Sequence, residues 1–253
     1  MIEHSSNLVG LPTGLIASTS FNEFPISLHI RGTRESHATL FGSLAKTDNP
    51  EEARHLFLEY MSDTFGERKR RARRFHASYL QILEDWGFDS NGQAGAVLKG
   101  WVESRFGLFP TFHREPIRRV NSLAWITYVE EKMSSRFNNN DILIQFDLLY
   151  EFCQWAMLNY FGTGKRHVLL FRGTNDMNDL VHDAKTAIVH LNSLTSFTSS
   201  RSIADEFGDT IVEVEVPTVK VLFFNELLSP HTLQGESEYL VIGGDYRAKL
   251  SYY

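Results

Sequence analysis

The sequence predicts an α+β fold in which a mostly helical N-terminal part packs on a C-terminal mixed β-sheet. Three observations carry this expectation. Apolar residues recur at helical spacing through roughly the first 160 positions. After Gly162-Thr163-Gly164 the texture changes to short β-rich runs. About ninety residues holding several short strands leave a sheet face that needs covering. The change at a glycine-rich link divides the chain into a helical region, 1–162, and a strand-rich core, 163–253. The uncovered sheet face implies that the two pack as one structural unit.

Residues 1–33 mix Pro12, Gly14, Pro25 and Gly32 with short apolar runs, which predicts irregular structure lying over another surface. Asn49-Pro50-Glu51-Glu52 opens a helix with proline and acids in its first turn, and Ala53, Leu56, Phe57 and Tyr60 follow at helical spacing. Arg68 to Arg74 carries six cations in seven residues, read either as a solvated helix face or as a docking patch for an acidic partner. A loop through Asp89–Gly95 precedes a helix over 96–106 that Gly107 ends. Pro110 and Pro116 bracket an extended segment whose His113 reads as a surface or packing residue. Helical spacing returns over 123–137 and 142–161, broken by Asn138-Asn139-Asn140. Strands are expected at 167–172, 194–199, 210–216, 219–224, 237–242 and 246–252, with helical connections at 178–190 and 201–207.

With 42% hydrophobic and 22% charged residues, the chain of 253 residues reads as globular. Its net charge of −6 argues against nonspecific nucleic-acid binding. The single cysteine, Cys153, cannot form an internal disulfide or build a zinc site; it reads as core filling in a reducing cytoplasm. No signal-like N-terminus and no membrane-spanning apolar run is read, which disfavours a secreted toxin. His182 and His190, eight apart on the expected helix, lack a third ligand at suggestive spacing, so no metal is expected.

Three segments carry candidate chemistry. In Gln234-Gly235-Glu236-Ser237-Glu238-Tyr239-Leu240-Val241-Ile242, strand alternation would put Glu236 and Glu238 on one face. Two carboxylates sharing a site suit a reaction in which one stabilises positive charge and the other deprotonates a nucleophile. Spacing alone does not establish this, because Glu213-Val214-Glu215 has the same form in an ordinary strand setting. Arg172 ends the apolar run His167–Phe171 and is followed by Gly173; it either pairs with a structural acid or offers its planar fork to a pyrophosphate or ribose. Gly173 reads as a turn glycine or as exposed backbone for a ligand, and the two are compatible. The third segment, Leu194-Thr195-Ser196-Phe197-Thr198-Ser199, leads into Ile203-Ala204-Asp205. No Gly-x-Gly-x-x-Gly or Walker-type loop accompanies Arg172.

In this order the three segments resemble the arginine, serine and Glu-x-Glu signature of arginine-specific mono-ADP-ribosyltransferases. With Asp89-Ser90-Asn91-Gly92, Trp101-Val102-Glu103 through Phe112, and Tyr150-Glu151-Phe152-Cys153-Gln154-Trp155, the whole chain resembles the dinitrogenase reductase ADP-ribosyltransferase family. That resemblance implies an ADP-ribosyltransferase core and NAD as a consumed co-substrate. It implies an arginine of dinitrogenase reductase as acceptor, reversible inactivation of nitrogenase, and regulation by a PII-type nitrogen-signalling protein. It further implies that Glu238 holds the donor ribose and stabilises an oxocarbenium-like transition state, while Glu236 takes the incoming guanidinium. Arg172 and Gly173 become NAD contacts, and Ser196 orients Glu238. The family has Ser-Thr-Ser with an alanine eight places after the first serine; Ser196 and Ala204 keep that interval, but Phe197 and Thr198 depart from it, so Ser199 remains an alternative. Two other functions compete. One is an NAD glycohydrolase, against which Glu236 argues; the other is a non-catalytic protein- or RNA-binding module using residues 68–74.

Overall fold

A computed structural model describes residues 7–71, 78–162, 164–175, 181–183, 187–228 and 237–252. The first half is helical: α1 (Thr13–Ala17), α2 (Thr19–Glu23), α3 (Thr33–Ser36), α4 (Ala38–Leu44), α5 (Pro50–Arg71), α6 (Tyr79–Phe88) and α7 (Gln93–Phe106). A two-stranded ribbon, β1 (Phe112–His113) and β2 (Glu115–Pro116), precedes α8 (Leu123–Ser134) and α9 (Asn140–Ala156). Local chemistry fixes several ends. Asn49 accepts the Glu52 amide hydrogen at 2.9 Å where α5 begins. Ser122 and Asn139 cap α8 and α9 through side-chain oxygens. Gly107, left-handed at φ 76°, closes α7 as expected. The helix expected over 142–161 is α-helical only to Ala156 and ends in a π-turn, Met157–Phe161.

α9 is the central helix, buried nearly all round, and its polar side chains tie it to four neighbours. Gln145 accepts the Tyr79 amide of α6 at 3.2 Å. Asp147 takes the Trp101 indole at 2.7 Å and a bidentate Arg105 fork from α7. Glu151, with no exposure, accepts the Ile30 amide at 2.6 Å and Arg34 at 2.5 Å. Gln154 donates to the Val221 carbonyl of the sheet at 2.8 Å. Trp101, Phe146, Tyr150 and Phe152 fill the space between, each stabilising by roughly 1.5–3 kcal/mol through burial. One apolar cluster runs from these residues into Leu170, Val212, Phe223 and Leu240 of the sheet.

The second half forms β3 (His167–Thr174), β4 (Val181–Asp183), β5 (Ile188–Thr198), α10 (Arg201–Asp205), β6 (Thr210–Pro217), β7 (Val221–Phe224), α11 (Asn225–Leu228) and β8 (Glu238–Tyr252). The strand order is β4-β5-β3-β6-β8-β7, with β5 also pairing β8. Every pairing among the described strands is antiparallel, whereas the sequence reading expects a mixed sheet. Parallel neighbours need long crossovers, and α10 is a short helix between β5 and β6. The helix expected over 178–190 is also overturned: Val181–Asp183 pairs with Ile188 and Val189, the β-branched residues of 188–189 joining the sheet rather than a helix. The strands expected at 237–242 and 246–252 are one strand that bends at Gly243-Gly244. Gly244 has φ 118°, and a Cβ on Gly243 would lie 1.8 Å from the Asn192 carbonyl oxygen. β8 pairs β5 on both sides of the bend, from Glu238 to Arg247, and pairs β6 from Ala248 to Tyr252. Glu213-Val214-Glu215 is the ordinary strand expected, with Val212, Val214 and Val216 inward and Glu213 bonded to Lys249.

The N-terminal segment covers this bend, as expected of a segment lying over another surface, although it does so partly as α1 and α2. Asn22 donates to the Asp245 carbonyl at 2.8 Å, and Glu23 pairs with Arg247. Cys153 is buried. α5 carries the start of the basic run, but the side chains of 68–74 lie outside the described residues. No helix among the described residues is long and apolar enough to cross a membrane.

Lys220 sits fully buried beneath the bend, donating to the Gly243 carbonyl at 2.9 Å between the Phe21 and Tyr246 rings. Burial pulls its pKa from 10.5 down to about 7, with Asp245 opposing. Between those values the unfolded chain binds more protons than the folded one, so stability rises as pH increases from about 7 to about 10. Lys220→Met is expected to flatten that rise in thermal melts. A slope equal to that of the unsubstituted chain would show that Lys220 does not titrate there.

Candidate active site

β3 and β5 touch at a single register pair, Phe171 with Thr198, and beyond it Arg172–Thr174 diverge from β5. A cavity opens at this divergence, roofed by α6. It has two adjoining compartments, of about 670 and about 440 Å³, which share Trp86, Ser90, Arg172, Thr174 and Ser196 as walls.

Arg172 stands on β3 opposite Val212. Its Nη1 donates to the Ser196 carbonyl at 2.8 Å. Nε is fully enclosed and has no hydrogen-bond partner among the described residues. An unmet buried donor costs about 1–3 kcal/mol, and no described residue supplies this one with an acceptor. Burial lowers the guanidinium pKa, and the carboxylate of Glu238 works in the opposite direction.

Ser196 lies on β5, its hydroxyl oxygen accepting the Trp86 indole N–H at 2.9 Å. The indole uses the oxygen as acceptor, which leaves the hydroxyl proton free to be donated. Glu238 is half-buried as the first residue of β8, opposite Thr198, and walls the larger compartment together with Arg172 and Ser196. The structure therefore brings these three side chains to one cavity. Ser199 is exposed just beyond β5 and lines neither compartment; its amide donates to the Ser237 carbonyl at 3.2 Å. Glu236 and the rest of the 229–236 loop lie outside the described residues. Ser237 is left-handed at φ 54°, so the strand alternation that would set Glu236 beside Glu238 stops at Glu238.

Gly173 is a strand residue rather than a turn residue, paired with Ile211. A Cβ there would lie 1.9 Å from the Ala204 carbonyl oxygen, so glycine lets α10 close on β3 beside the cavity. His113 is fully buried, bonded to Glu131 at 2.9 Å and lying 3.3 Å from the Lys99 ammonium, with a pKa lowered chiefly by burial; it is a packing residue. His190 is on a strand, not a helix, and pairs with Asp245 across the β5–β8 register at 2.5 Å. Among the described residues no group of three metal-binding side chains occurs.

Sequence reasoning missed the wall that the helical half contributes: Trp86, Lys99, Arg118 and, from β5, Asn192. One signal was available. Lys99 interrupts the apolar run between Ala96-Val97-Leu98 and Trp101-Val102. It is 1% exposed, with its ammonium bonded to Asn91 and the Phe112 carbonyl at 3.0 and 3.1 Å.

Residues 6–250 match the family described as dinitrogenase reductase ADP-ribosyltransferase (DRAT). A protein of Rhodospirillum rubrum named NAD(+)--dinitrogen-reductase ADP-D-ribosyltransferase is 53% identical, the match covering 99% of this chain and 96% of that protein. No solved structure matches significantly.

Gly173→Ala is expected to destabilise the fold by about 1–3 kcal/mol, because backbone of α10 rather than a flexible side chain must move. Urea unfolding checks this, and an unchanged midpoint would show that α10 yields freely.

Proposed function

The chain belongs to the dinitrogenase reductase ADP-ribosyltransferase family, and on that premise we propose how its residues perform the transfer. It is an NAD-dependent ADP-ribosyltransferase that modifies dinitrogenase reductase, switching nitrogenase off. Our reading of the chemistry rests on one observation: Arg172, Ser196 and Glu238 wall a single cavity, and Nε of the buried arginine has no partner among the described residues.

The bond broken is the one joining the nicotinamide nitrogen to C1′ of the ribose. Nicotinamide departs neutral with the bonding electron pair, leaving positive charge on the ribose ring. Glu238 stabilises that charge and holds the ribose hydroxyl, with the free hydroxyl proton of Ser196 orienting the carboxylate. Arg172 binds the diphosphate or ribose through Nε, and the backbone of Gly173 meets the carboxamide. The acceptor is an arginine. Glu236 clamps its guanidinium, a nitrogen lone pair forms the new bond to C1′, and the proton lost passes to Glu236. A bulky dianion on a cationic site then obstructs docking of the reductase to its partner by sterics and charge. Cytoplasmic location suits the lone buried cysteine and the consumption of NAD, and a PII-type signalling protein is the regulator we expect.

Labelled NAD incubated with the protein and a diazotroph extract should mark a single band, dinitrogenase reductase. Absence of any labelled protein would overturn the reading. Glu238→Gln is expected to lower both labelling and slow NAD hydrolysis by about 10²-fold or more while NAD binding persists, since the charge acts chiefly in the transition state. Near-normal hydrolysis by this variant would remove Glu238 from the mechanism. Glu236→Gln should instead suppress transfer and spare hydrolysis, because water needs no anionic clamp. Equal loss of both activities would mean that the two glutamates act as one unit.

A further inference from the structure

The two compartments differ in charge. The larger is walled by Glu238 and by the aromatic rings of Phe88 and Phe207. The smaller is walled by Lys99, Arg118 and Arg172, and no aspartate or glutamate is among its described lining residues. In a chain of net charge −6, two guanidinium groups and a buried lysine around one acid-free hollow make a site for an anion rather than a sample of the surface. Asn91 and Asn192 add amide groups to the same walls. NAD carries a matching asymmetry: a pyridinium at one end, and a diphosphate leading to adenosine at the other.

We propose that the smaller compartment seats the ADP portion of NAD, with Arg118 and Lys99 of the helical half supplying positive charge beyond that of Arg172. This deepens the reading above and rests on it. The donor then spans the shared wall at Arg172 and Ser196, with its cationic nicotinamide end beside Glu238. The helical region thus builds half of the donor site besides covering the sheet. Lys99 is fixed in the wall by its bonds to Asn91 and the Phe112 carbonyl, and since burial pulls its pKa down to about 7, an anion in this compartment would favour its charged form. Arg118 is exposed at the rim, where it can close on a diphosphate with a bidentate fork. The framework there is rigid: Asn192 accepts the Thr111 amide at 2.9 Å and donates to the Phe112 carbonyl at 2.9 Å, pinning the segment that leads to Arg118 against β5.

Calorimetric titration with ADP and, separately, with nicotinamide tests the assignment. ADP should bind the unsubstituted protein, and Arg118→Gln should weaken it roughly tenfold, the order of one charge-assisted hydrogen bond, while leaving nicotinamide affinity unchanged. Arg118→Lys should restore only part of the loss, because the fork is missing. Lys99→Met should weaken ADP as well, with circular dichroism confirming the fold; exposed Arg118 keeps the test decisive if the buried substitution unfolds the chain. No ADP binding, ADP affinity unchanged by Arg118→Gln, or equal weakening of ADP and nicotinamide would each overturn the inference. A protein that labels its acceptor normally yet shows one of these outcomes refutes the subsite alone, whereas failure of labelling refutes the transferase reading.

Discussion

A carboxylate with no exposure must be paired, and Glu151 at the middle of α9 is the pairing on which the assembly hangs. Its oxygens take the Ile30 amide and the Arg34 guanidinium, so the segment leading from the N-terminus is locked to the central helix. One turn to either side, Asp147 fixes α7 and Gln154 reaches the sheet, at the i, i+4 and i+7 positions of one helical stripe. Losing one partner of such a group would leave a charge or amide buried without compensation, which costs far more than an exposed ion pair contributes.

That lattice bears on the cavity through α6. Gln145 of α9 holds the Tyr79 amide, and at the other end of α6 the Trp86 indole reaches Ser196 on β5. The roof of the site is therefore tied to the helical core at one end and to a candidate site residue at the other. On the floor, glycine at 173 and at 243 allows backbone to approach backbone where any side chain would intrude. The site is a gap between β3 and β5 kept open by packing around it, with a buried guanidinium whose Nε meets no acceptor among the described residues.

Much of the fold was legible from local pattern. Asn49-Pro50, Asn139 and Gly107 state helix ends through capping chemistry that acts within one turn. The alternation around Val212, Val214 and Val216 states a strand. Of the candidate site residues, Arg172, Ser196 and Glu238 were visible as motifs. The assignment of 178–190 to helix failed because the pairing of Val181–Asp183 with Ile188 and Val189 is a contact between strands, which no single window encodes.

What the sequence by itself determined is the order of elements and the chemical types available, because spacing, caps and residue identity are local properties. The tertiary structure decided which of those residues meet. Ser196 faces the cavity and Ser199 does not, because β5 ends at Thr198 and the chain turns away. Gly243-Gly244 bends one strand instead of joining two, because the register with β5 shifts there and the Asn192 carbonyl leaves no room for a side chain on Gly243. Trp86, Lys99 and Arg118 gather beside Arg172 although some 54 to 86 positions separate them from it, since burial and hydrogen bonding reward proximity in space irrespective of distance along the chain.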